Sequence, residues 1–217
     1  MLAKGTSPII AVPIMLFALC FLGYILYNHH WAFVVLAIIF TFLSCMGLWF
    51  FRDPYRKIGH GVVSAADGIV SHVKRSKDGK AVTISVFMNV HNVHVNRAPW
   101  AGKVARSVHH PGGHIPAYEH NAAKNEHQVT ELITDLGTVR IVQIAGTVAR
   151  RIVPYIKKGD RLEKGERIGI IRLGSRVDVT LPASRIKVRV SKGQKVLAGE
   201  TTIATVIGAA GTSPKEV

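Results

Sequence analysis

The chain has 217 residues and a formal net charge of +15, from 28 Lys and Arg against 13 Asp and Glu. This length provides for one modest domain and an appendage. The charge suits nucleic acid or an anionic membrane surface, but no RNP motif, zinc-finger spacing or base-reading basic helix is present, so no nucleic-acid partner is expected. Cys20 and Cys45 both lie in apolar segments, which excludes a disulfide framework or cysteine zinc site in the rest of the chain.

The N-terminal segment differs sharply in composition from the rest. Lys4 is the only charged residue before Arg52. The uncharged apolar runs 8–27 and 31–51 are each about 20 residues long, the length at which a helix spans a bilayer. We therefore predict a transmembrane hairpin anchor over residues 1–51. A signal peptide is the alternative interpretation of the first run, but no small-residue cleavage site is evident and a second run follows at once.

Positive residues flank the two apolar runs. Lys4 precedes the first run, and Arg52, Arg56 and Lys57 follow the second. Loops on the cytoplasmic side of a membrane carry an excess of Lys and Arg. The sequence therefore predicts a cell-membrane protein whose termini and soluble domain lie on the cytoplasmic side.

From residue 52 onward the chain is rich in β-branched residues and in turn signals such as Asp-Gly at 67–68 and 78–79. We predict a mainly β domain over residues 52–208. The predicted strands are 61–63, 68–73, 81–87, 102–108, 129–134 and 138–144.

Three further segments have their own composition. Residues 109–127 are rich in Gly, Pro, His and Asn and are predicted to form a long loop, which in a compact domain is often functional. Residues 145–155 are predicted to form a short helix, and residues 209–217 a disordered tail.

One internal repeat stands out. The sequence Gly-Asp-Arg-Leu-Glu-Lys-Gly-Glu at 159–166 recurs as Gly-Gln-Lys-Val-Leu-Ala-Gly-Glu at 193–200, each copy preceded by Lys and followed by a β-rich run. The pattern predicts a strand–turn–strand unit used twice in a small β sandwich or barrel-like domain of the lipoyl type. Neither copy presents a lone Lys at a tight hairpin tip, so a carrier function is not expected.

Three motifs carry reactive side chains: Ala-Ala-Asp-Gly at 65–68, His-Asn-Val-His at 91–94 and Gly-Ser-Arg at 174–176. Serine is a weak nucleophile that needs a base, oriented in turn by an acid. The set therefore has the parts for a serine that attacks its own backbone. Attack of Ser175 Oγ on the Gly174 carbonyl would cut the chain between Gly174 and Ser175 and convert Ser175 into a covalent pyruvoyl group.

Five motifs in order resemble the phosphatidylserine decarboxylases, most closely the short branch of archaea and many bacteria. They are Phe-Arg-Asp-Pro at 51–54, Ala-Asp-Gly at 66–68, His-Asn-Val-His-Val-Asn-Arg-Ala-Pro at 91–99, Gly146 with Ala-Arg-Arg-Ile at 149–152, and Gly-Ser-Arg-Val-Asp-Val at 174–179 with Leu-Pro at 181–182. The resemblance runs from about residue 50 to residue 208. Longer family members have Gly-Ser-Thr at the cleavage site, where this chain has Arg176, as the short branch does.

The resemblance implies a membrane-anchored proenzyme of phospholipid biosynthesis. It would cleave itself, decarboxylate phosphatidylserine to phosphatidylethanolamine and CO2, keep its two fragments associated and form a homodimer. The resemblance assigns Asp67 and His94 to the activation of Ser175, and His91 to decarboxylation as proton donor or carboxylate contact. In an arbitrary chain the same residues would be a hairpin turn and a surface or metal-binding His pair.

The chemistry agrees with a built-in cofactor. Decarboxylation of an α-amino acid leaves a carbanion that no protein side chain delocalises, so an electrophilic group is needed. A pyridoxal phosphate enzyme needs a much larger fold, whereas a pyruvoyl group made from Ser175 can be housed in a domain of this size. No metal is expected, because motifs such as His-Glu-x-x-His are absent.

The substrate contacts are less constrained by the sequence. Arg150 and Arg151 suit the lipid phosphate, because guanidinium groups match phosphate oxygens, although a solvated basic face near anionic lipid is an equal alternative. His114 and the neighbouring segment 111–113 are predicted to shape the head-group pocket.

Three alternatives remain open. Archaetidylserine decarboxylase activity would use the same head group on ether-linked tails. A non-enzymatic lipoyl-like membrane adaptor would explain the anchor and the repeat, but not the reactive set. An anchored zinc peptidase would need His-x-x-x-Asp and His-x-His ligand motifs, and neither is present.

Overall fold

The structure is a computed structural model of the chain. It describes residues 1–27, 29–113, 125–146, 151–172 and 175–208. The chain divides into two compact units, Met1–Tyr55 and Arg56–Val217. The predicted tail at 209–217 lies outside the described residues.

The first unit contains two apolar helices, α1 (Ser7–Leu26) and α2 (Trp31–Phe50), that pack against each other. The His30 side chain caps α2, since its Nδ1 accepts a hydrogen bond from Ala32 N at 3.3 Å. Each helix is 20 residues long and apolar enough to cross a membrane by length and composition.

The second unit is built from strands. They are β1 (Val62–Val63), β2 (Gly68–Arg75), β3 (Ala81–Met88), β4 (Val95–Arg97), β5 (Gly102–His110), β6 (His127–Thr134), β7 (Gly137–Ile144), β8 (Ile152–Pro154), β9 (Arg161–Leu162), β10 (Arg167–Ile171), β11 (Ser175–Pro182), β12 (Ile186–Val188), β13 (Lys195–Val196) and β14 (Thr202–Val206). The predicted mainly β fold is confirmed.

Three antiparallel sheets enclose the core. The largest has the order β13-β2-β3-β11-β7-β6-β5-β9 and is curled, and the two small ones are β1-β14-β12 and β4-β10-β8. Alternate residues of β11 are buried, which is the period-2 pattern of a strand with one face on the core. Val and Ile side chains from all three sheets make up one apolar cluster.

The internal repeat is structural, because both copies make the same backbone hydrogen bonds. Gly159 N donates to Val104 O and Gly193 N donates to Val70 O, each at 2.8 Å. The two valines are separated by the same number of residues as the two glycines. Both glycines have left-handed φ angles, 98° and 90°, which favour glycine in the turn.

The helix predicted for 145–155 is wrong where the segment is described. Residues Ile152–Pro154 form β8, paired with β10 through Ile152 and Ile171. Pairing with a partner outside the segment decides this local structure, and a three-residue strand has no readable period of its own. The predicted loop at 109–127 is shorter than expected, since β5 continues to His110 and β6 begins at His127.

Candidate active site

Several strands of the large sheet end side by side, along an edge of the sheet that runs across the strand ends and not along an outer strand. Ser175, the first residue of β11, is the Cα partner of Met88, the last residue of β3. Ile144 ends β7 beside Arg176 and His127, and His127 pairs with His110 at the end of β5. The connections that carry the predicted reactive residues therefore leave the sheet along the same edge.

Ser175 is fully buried on this edge. Its side chain lies on the core face of β11, as do those of Val177 and Val179. Ser175 Oγ has no hydrogen-bond partner among the described residues. Burial of an unsatisfied hydroxyl costs about 1 to 3 kcal/mol, so its presence calls for a functional reason.

His94 is also fully buried, immediately before β4. Its Nδ1 lies 2.9 Å from Asn92 O, and its carbonyl oxygen accepts a hydrogen bond from Ile171 N at 3.3 Å. With Nδ1–H donated to a carbonyl, the lone pair of the neutral ring is on Nε2, the atom that can act as a base. Ile171 ends β10, whose continuation leads to Ser175.

Asp67 lies in the turn between β1 and β2 and is 4% exposed. Its Oδ1 accepts a hydrogen bond from Ala198 N at 2.7 Å, and its Oδ2 accepts one from Arg56 Nη2 at 2.8 Å. Burial raises the pKa of Asp67, against the lowering effect of Ala198 N–H, the Arg56 guanidinium and the backbone N–H of Val93. Val93 immediately precedes His94, so the last of these effects comes from the segment that carries the imidazole.

The other predicted site residues are placed less centrally. His91 lies exposed in the turn that follows β3. Arg151 is exposed next to β8. Gly174, Arg150 and His114 lie outside the described residues.

Arg176, where longer family members have Thr, points away from Ser175 because neighbouring side chains alternate along a strand. Its Nε lies 3.0 Å from Asp178 Oδ1, and both side chains are less than a fifth exposed. The arginine is therefore part of an ion pair on the other face of β11.

A cleft of about 380 Å³ opens close to this edge. Its lining residues are His109, Glu126, Gln128, Arg151, Ile152 and Pro154. Glu126 is largely buried, and its Oε1 accepts a hydrogen bond from Ile152 N at 3.2 Å and lies 3.7 Å from His109 Nε2. Sequence reasoning missed Glu126 and Gln128, because neither belongs to a recognisable motif.

A larger cleft of about 600 Å³ lies at the opposite edge of the sheet. Gly102 and Thr134, which line it, are at the other ends of the strands that carry His110 and His127. Its volume does not make it the active site, since Ser175, His94 and Asp67 are all absent from its lining.

Metal binding has no support in the described part of the second unit. Among these residues, no three His, Cys, Asp or Glu side chains are grouped closely enough to hold an ion.

The rings of His110 and His127 stack with centroids 4.8 Å apart. Desolvation, followed by the charge of His127, lowers the pKa of His110.

Comparison with known proteins gives one consistent family. Residues 46–204 match the profile of the family described as phosphatidylserine decarboxylase. A phosphatidylserine decarboxylase proenzyme of Streptomyces griseus is 47% identical over 203 residues, which cover 93% of this chain and 92% of that protein. A protein of Methanococcoides burtonii named "Putative archaetidylserine decarboxylase proenzyme" is 47% identical over 166 residues, which cover 75% of this chain and 76% of the relative.

The structure and the comparisons lead to the same assignment. Ser175 is buried at the start of a central strand, His94 is buried just before β4, and the matches cover most of the sequence. The chain belongs to the phosphatidylserine decarboxylase family and is a carboxy-lyase.

Proposed function

We propose that the chain is a membrane-anchored, self-processing, pyruvoyl-dependent decarboxylase that converts phosphatidylserine to phosphatidylethanolamine and CO2. The observation that carries this proposal is the Ser175 hydroxyl, fully buried and without a hydrogen-bond partner among the described residues. Relatives named as proenzymes agree with a chain that is made as a precursor.

Ser175 suits a pyruvoyl group on structural grounds. The orphaned hydroxyl lies at the beginning of β11, between β3 and β7, so a new chain end at this residue stays fixed by two neighbouring strands. The burial of Ser175 keeps bulk solvent away from the hydroxyl before it reacts. A pyruvoyl group here would supply a carbonyl that condenses with the substrate amine, and the product of that condensation would accept the electron pair that CO2 leaves behind on the substrate.

Self-processing uses the chain's own residues. His94 Nε2 removes the Ser175 hydroxyl proton, and Oγ adds to the Gly174 carbonyl carbon; the peptide C–N bond then breaks and an ester forms. Elimination of the Ser175 Cα proton breaks the Cβ–O bond and releases residues 1–174 with a carboxylate end. The remaining dehydroalanine takes up one water and releases one ammonia, which leaves the pyruvoyl group. Asp67 holds the backbone that precedes His94.

The head group is bound close to the same sheet edge. Arg151 brings positive charge to the cleft of about 380 Å³ and His109 brings a ring nitrogen, and both would contact the substrate phosphate. His91, which is exposed in the turn after β3, is assigned from the resemblance to donate a proton to the substrate or to contact its carboxylate. Arg150 and His114 stay as proposed substrate contacts from the sequence alone.

The two fragments stay associated after cleavage. Residues 175–208 supply β11, which pairs with β3 and β7 of the larger fragment, β13, which pairs with β2, and β14, which pairs with β1. The two apolar helices keep the enzyme in the bilayer with its lipid substrate, and the positive-inside pattern places the soluble unit in the cytoplasm. The predicted homodimer rests on the resemblance.

Archaetidylserine is the second candidate substrate, favoured by the relatives from Methanococcoides burtonii and Methanosarcina barkeri that are named putative archaetidylserine decarboxylase proenzymes. Both lipids carry the same serine head, so both would react by the same steps. Turnover of diester and diether serine lipids in matched micelles distinguishes them, since the preferred tail gives the higher kcat/KM.

The direct test is mass spectrometry of the purified full chain. We expect fragments that end at Gly174 and begin with a pyruvoyl group at position 175, and no cleavage in Ser175→Ala. Ser85→Ala, a buried hydroxyl on the neighbouring strand β3, is the matched control and should cleave normally. An uncut native chain that decarboxylates the lipid would overturn the proposal, and an uncut chain without activity would favour the adaptor alternative.

A further inference from the structure

The environment of Asp67 contains a buried cation. Arg56 is the first residue of the second unit, and its side chain is 8% exposed. Its Nη2 lies 2.8 Å from Asp67 Oδ2, and its Nη1 lies 3.5 Å from Glu200 Oε1. The Glu200 side chain is 32% exposed, so Asp67 is the buried partner of this guanidinium.

The segment that carries Arg56 is held by the same loop that contacts Asp67. Gly59 N donates to Gly199 O at 2.9 Å, and Gly199 lies between Ala198 and Glu200. Ala198 N donates to Asp67 Oδ1 at 2.7 Å. Arg56, Asp67 and residues 198–200 therefore make up one connected group, in which Arg56 and Ala198 both donate hydrogen bonds to the carboxylate.

This group stabilises the charged form of Asp67. Burial raises the pKa of Asp67, and the Arg56 charge is one of the effects that lower it. An opposite charge within 4 to 6 Å lowers the pKa of a carboxyl group by about 1 to 3 units. Without Arg56, the carboxyl would keep its backbone donor Ala198 but lose the cation that lies 2.8 Å from its Oδ2.

We propose that Arg56 is a positioning residue of the self-processing reaction: its guanidinium keeps Asp67 ionised and fixes the carboxylate against the backbone that carries His94. The inference rests on the proposed function, since it concerns the activation of Ser175. Arg56 acts through Asp67 and touches none of the reacting atoms.

Four charged or titratable groups face Asp67 or its partners from the packed segments. Arg56 and Glu200 belong to the group described above. His94 follows Val93, whose N–H contacts the carboxylate. Arg97 lies in β4, where its N donates to Ala65 O at 2.9 Å and its Nη1 to Gly165 O at 3.0 Å. The guanidinium bound to the Asp67 carboxylate is that of Arg56, so Arg56 is the cation whose loss we expect to change Asp67.

The experiment follows cleavage of the full chain, synthesised in a cell-free system with detergent micelles, as a function of pH. For Arg56→Gln we expect slower cleavage at low pH and recovery as the pH rises, because loss of the guanidinium charge moves the pH midpoint up by about 1 to 3 units. Arg56→Lys keeps the charge and should retain a midpoint close to native. Glu200→Gln, which alters the other contact of the same guanidinium, is the matched control and should cleave like the native chain.

A role that is only structural would lower the rate equally at every pH, with no change in midpoint, and that result would overturn the inference. So would an Arg56→Lys midpoint shifted as far as that of Arg56→Gln. If Arg56→Gln does not fold, the lysine variant and a comparison of Asp67→Asn with Asp67→Asn/Arg56→Lys decide. In the second comparison an added loss of rate contradicts action through Asp67. Failure of the native chain to cleave would instead contradict the proposed function itself.

Discussion

Gln143 on β7 donates a hydrogen bond from Nε2 to Asn96 Oδ1 on β4 at 2.8 Å, and both side chains are buried. Asn96 follows His94 by two residues, and Gln143 is the Cα partner of Val177, two residues after Ser175. The bond thus joins the strand that follows the proposed base to the sheet that carries the proposed nucleophile.

Gln143→Leu should therefore impair self-cleavage as well as stability. The change leaves Asn96 Oδ1 buried without this donor, at a cost of about 1 to 3 kcal/mol in the free energy of unfolding. We expect slower cleavage because the two sheets lose their fixed relation, measured on gels alongside thermal unfolding. Thr83→Val removes the 2.9 Å hydrogen bond between the hydroxyl groups of Thr83 and Thr180, which lies farther along the β3–β11 pair. This variant is the control and should leave cleavage unchanged. Native cleavage in Gln143→Leu would contradict this role.

His94→Gln should stop self-processing while the chain still folds. The glutamine side chain can keep a hydrogen bond but cannot take up a proton, and general base catalysis contributes about 10² to 10⁴ in rate. Gel electrophoresis of pulse-labelled chain measures the loss. His72→Gln, an exposed histidine on β2, is the control. Cleavage of His94→Gln at the native rate would exclude His94 as the base.

Gly68→Ala should block processing through the turn that carries Asp67. Gly68 has φ 151°, and an added Cβ would overlap the Phe87 carbonyl oxygen. The turn must shift, which moves Asp67 away from Ala198 N–H. Gly79→Ala, with φ 70° and open space around it, should cost only about 1 to 2 kcal/mol and permit cleavage. Thermal unfolding and cleavage measured together separate these effects, and normal cleavage of Gly68→Ala would contradict the prediction.

Arg151→Gln should weaken substrate binding without affecting cleavage. A hydrogen bond to a charged group contributes about 1.5 to 3 kcal/mol, so we expect KM to rise by roughly 10- to 100-fold. Initial rates on serine lipids in mixed micelles give KM and kcat. Arg75→Gln, an exposed residue at the end of β2, is the control for a general loss of basic charge. Equal effects of both variants would favour the solvated basic face over a phosphate contact.

An affinity tag at the C-terminus should capture the large fragment together with the small fragment that carries the tag. Capture of the processed protein under native conditions should recover residues 1–174 with residues 175–217, because three strands of the smaller fragment, β11, β13 and β14, pair with the larger one. Denaturant should release the large fragment. Recovery of the small fragment alone from a native extract would contradict the paired arrangement.

The main strands were predictable because they are long, β-branched and separated by Asp-Gly turns. The two copies of the repeat were also recognisable, since Gly159 and Gly193 occupy turns with left-handed φ angles. The strand at Ile152–Pro154 was not predictable, because its conformation depends on pairing with β10.

The partners inside the candidate site were least accessible to sequence reasoning. Asp67, His94 and Ser175 could be selected from motifs and a family resemblance. The contacts of Asp67 with Arg56 and Ala198, and that of Gln143 with Asn96, join positions far apart in the chain. No local pattern encodes such pairs, and Arg56 had been interpreted only as a positive flank of the membrane segment.

The position of β11 between β3 and β7 has a consequence for the lifetime of the processed enzyme. The precursor acquires its structure as a single polypeptide, whereas recovery after denaturation would require two separate molecules to meet. Renaturation of the mature form should therefore depend on protein concentration, while that of an uncut Ser175→Ala chain should not. An uncut chain can therefore unfold and refold repeatedly, whereas a cleaved molecule that has unfolded regains its structure only when two fragments meet.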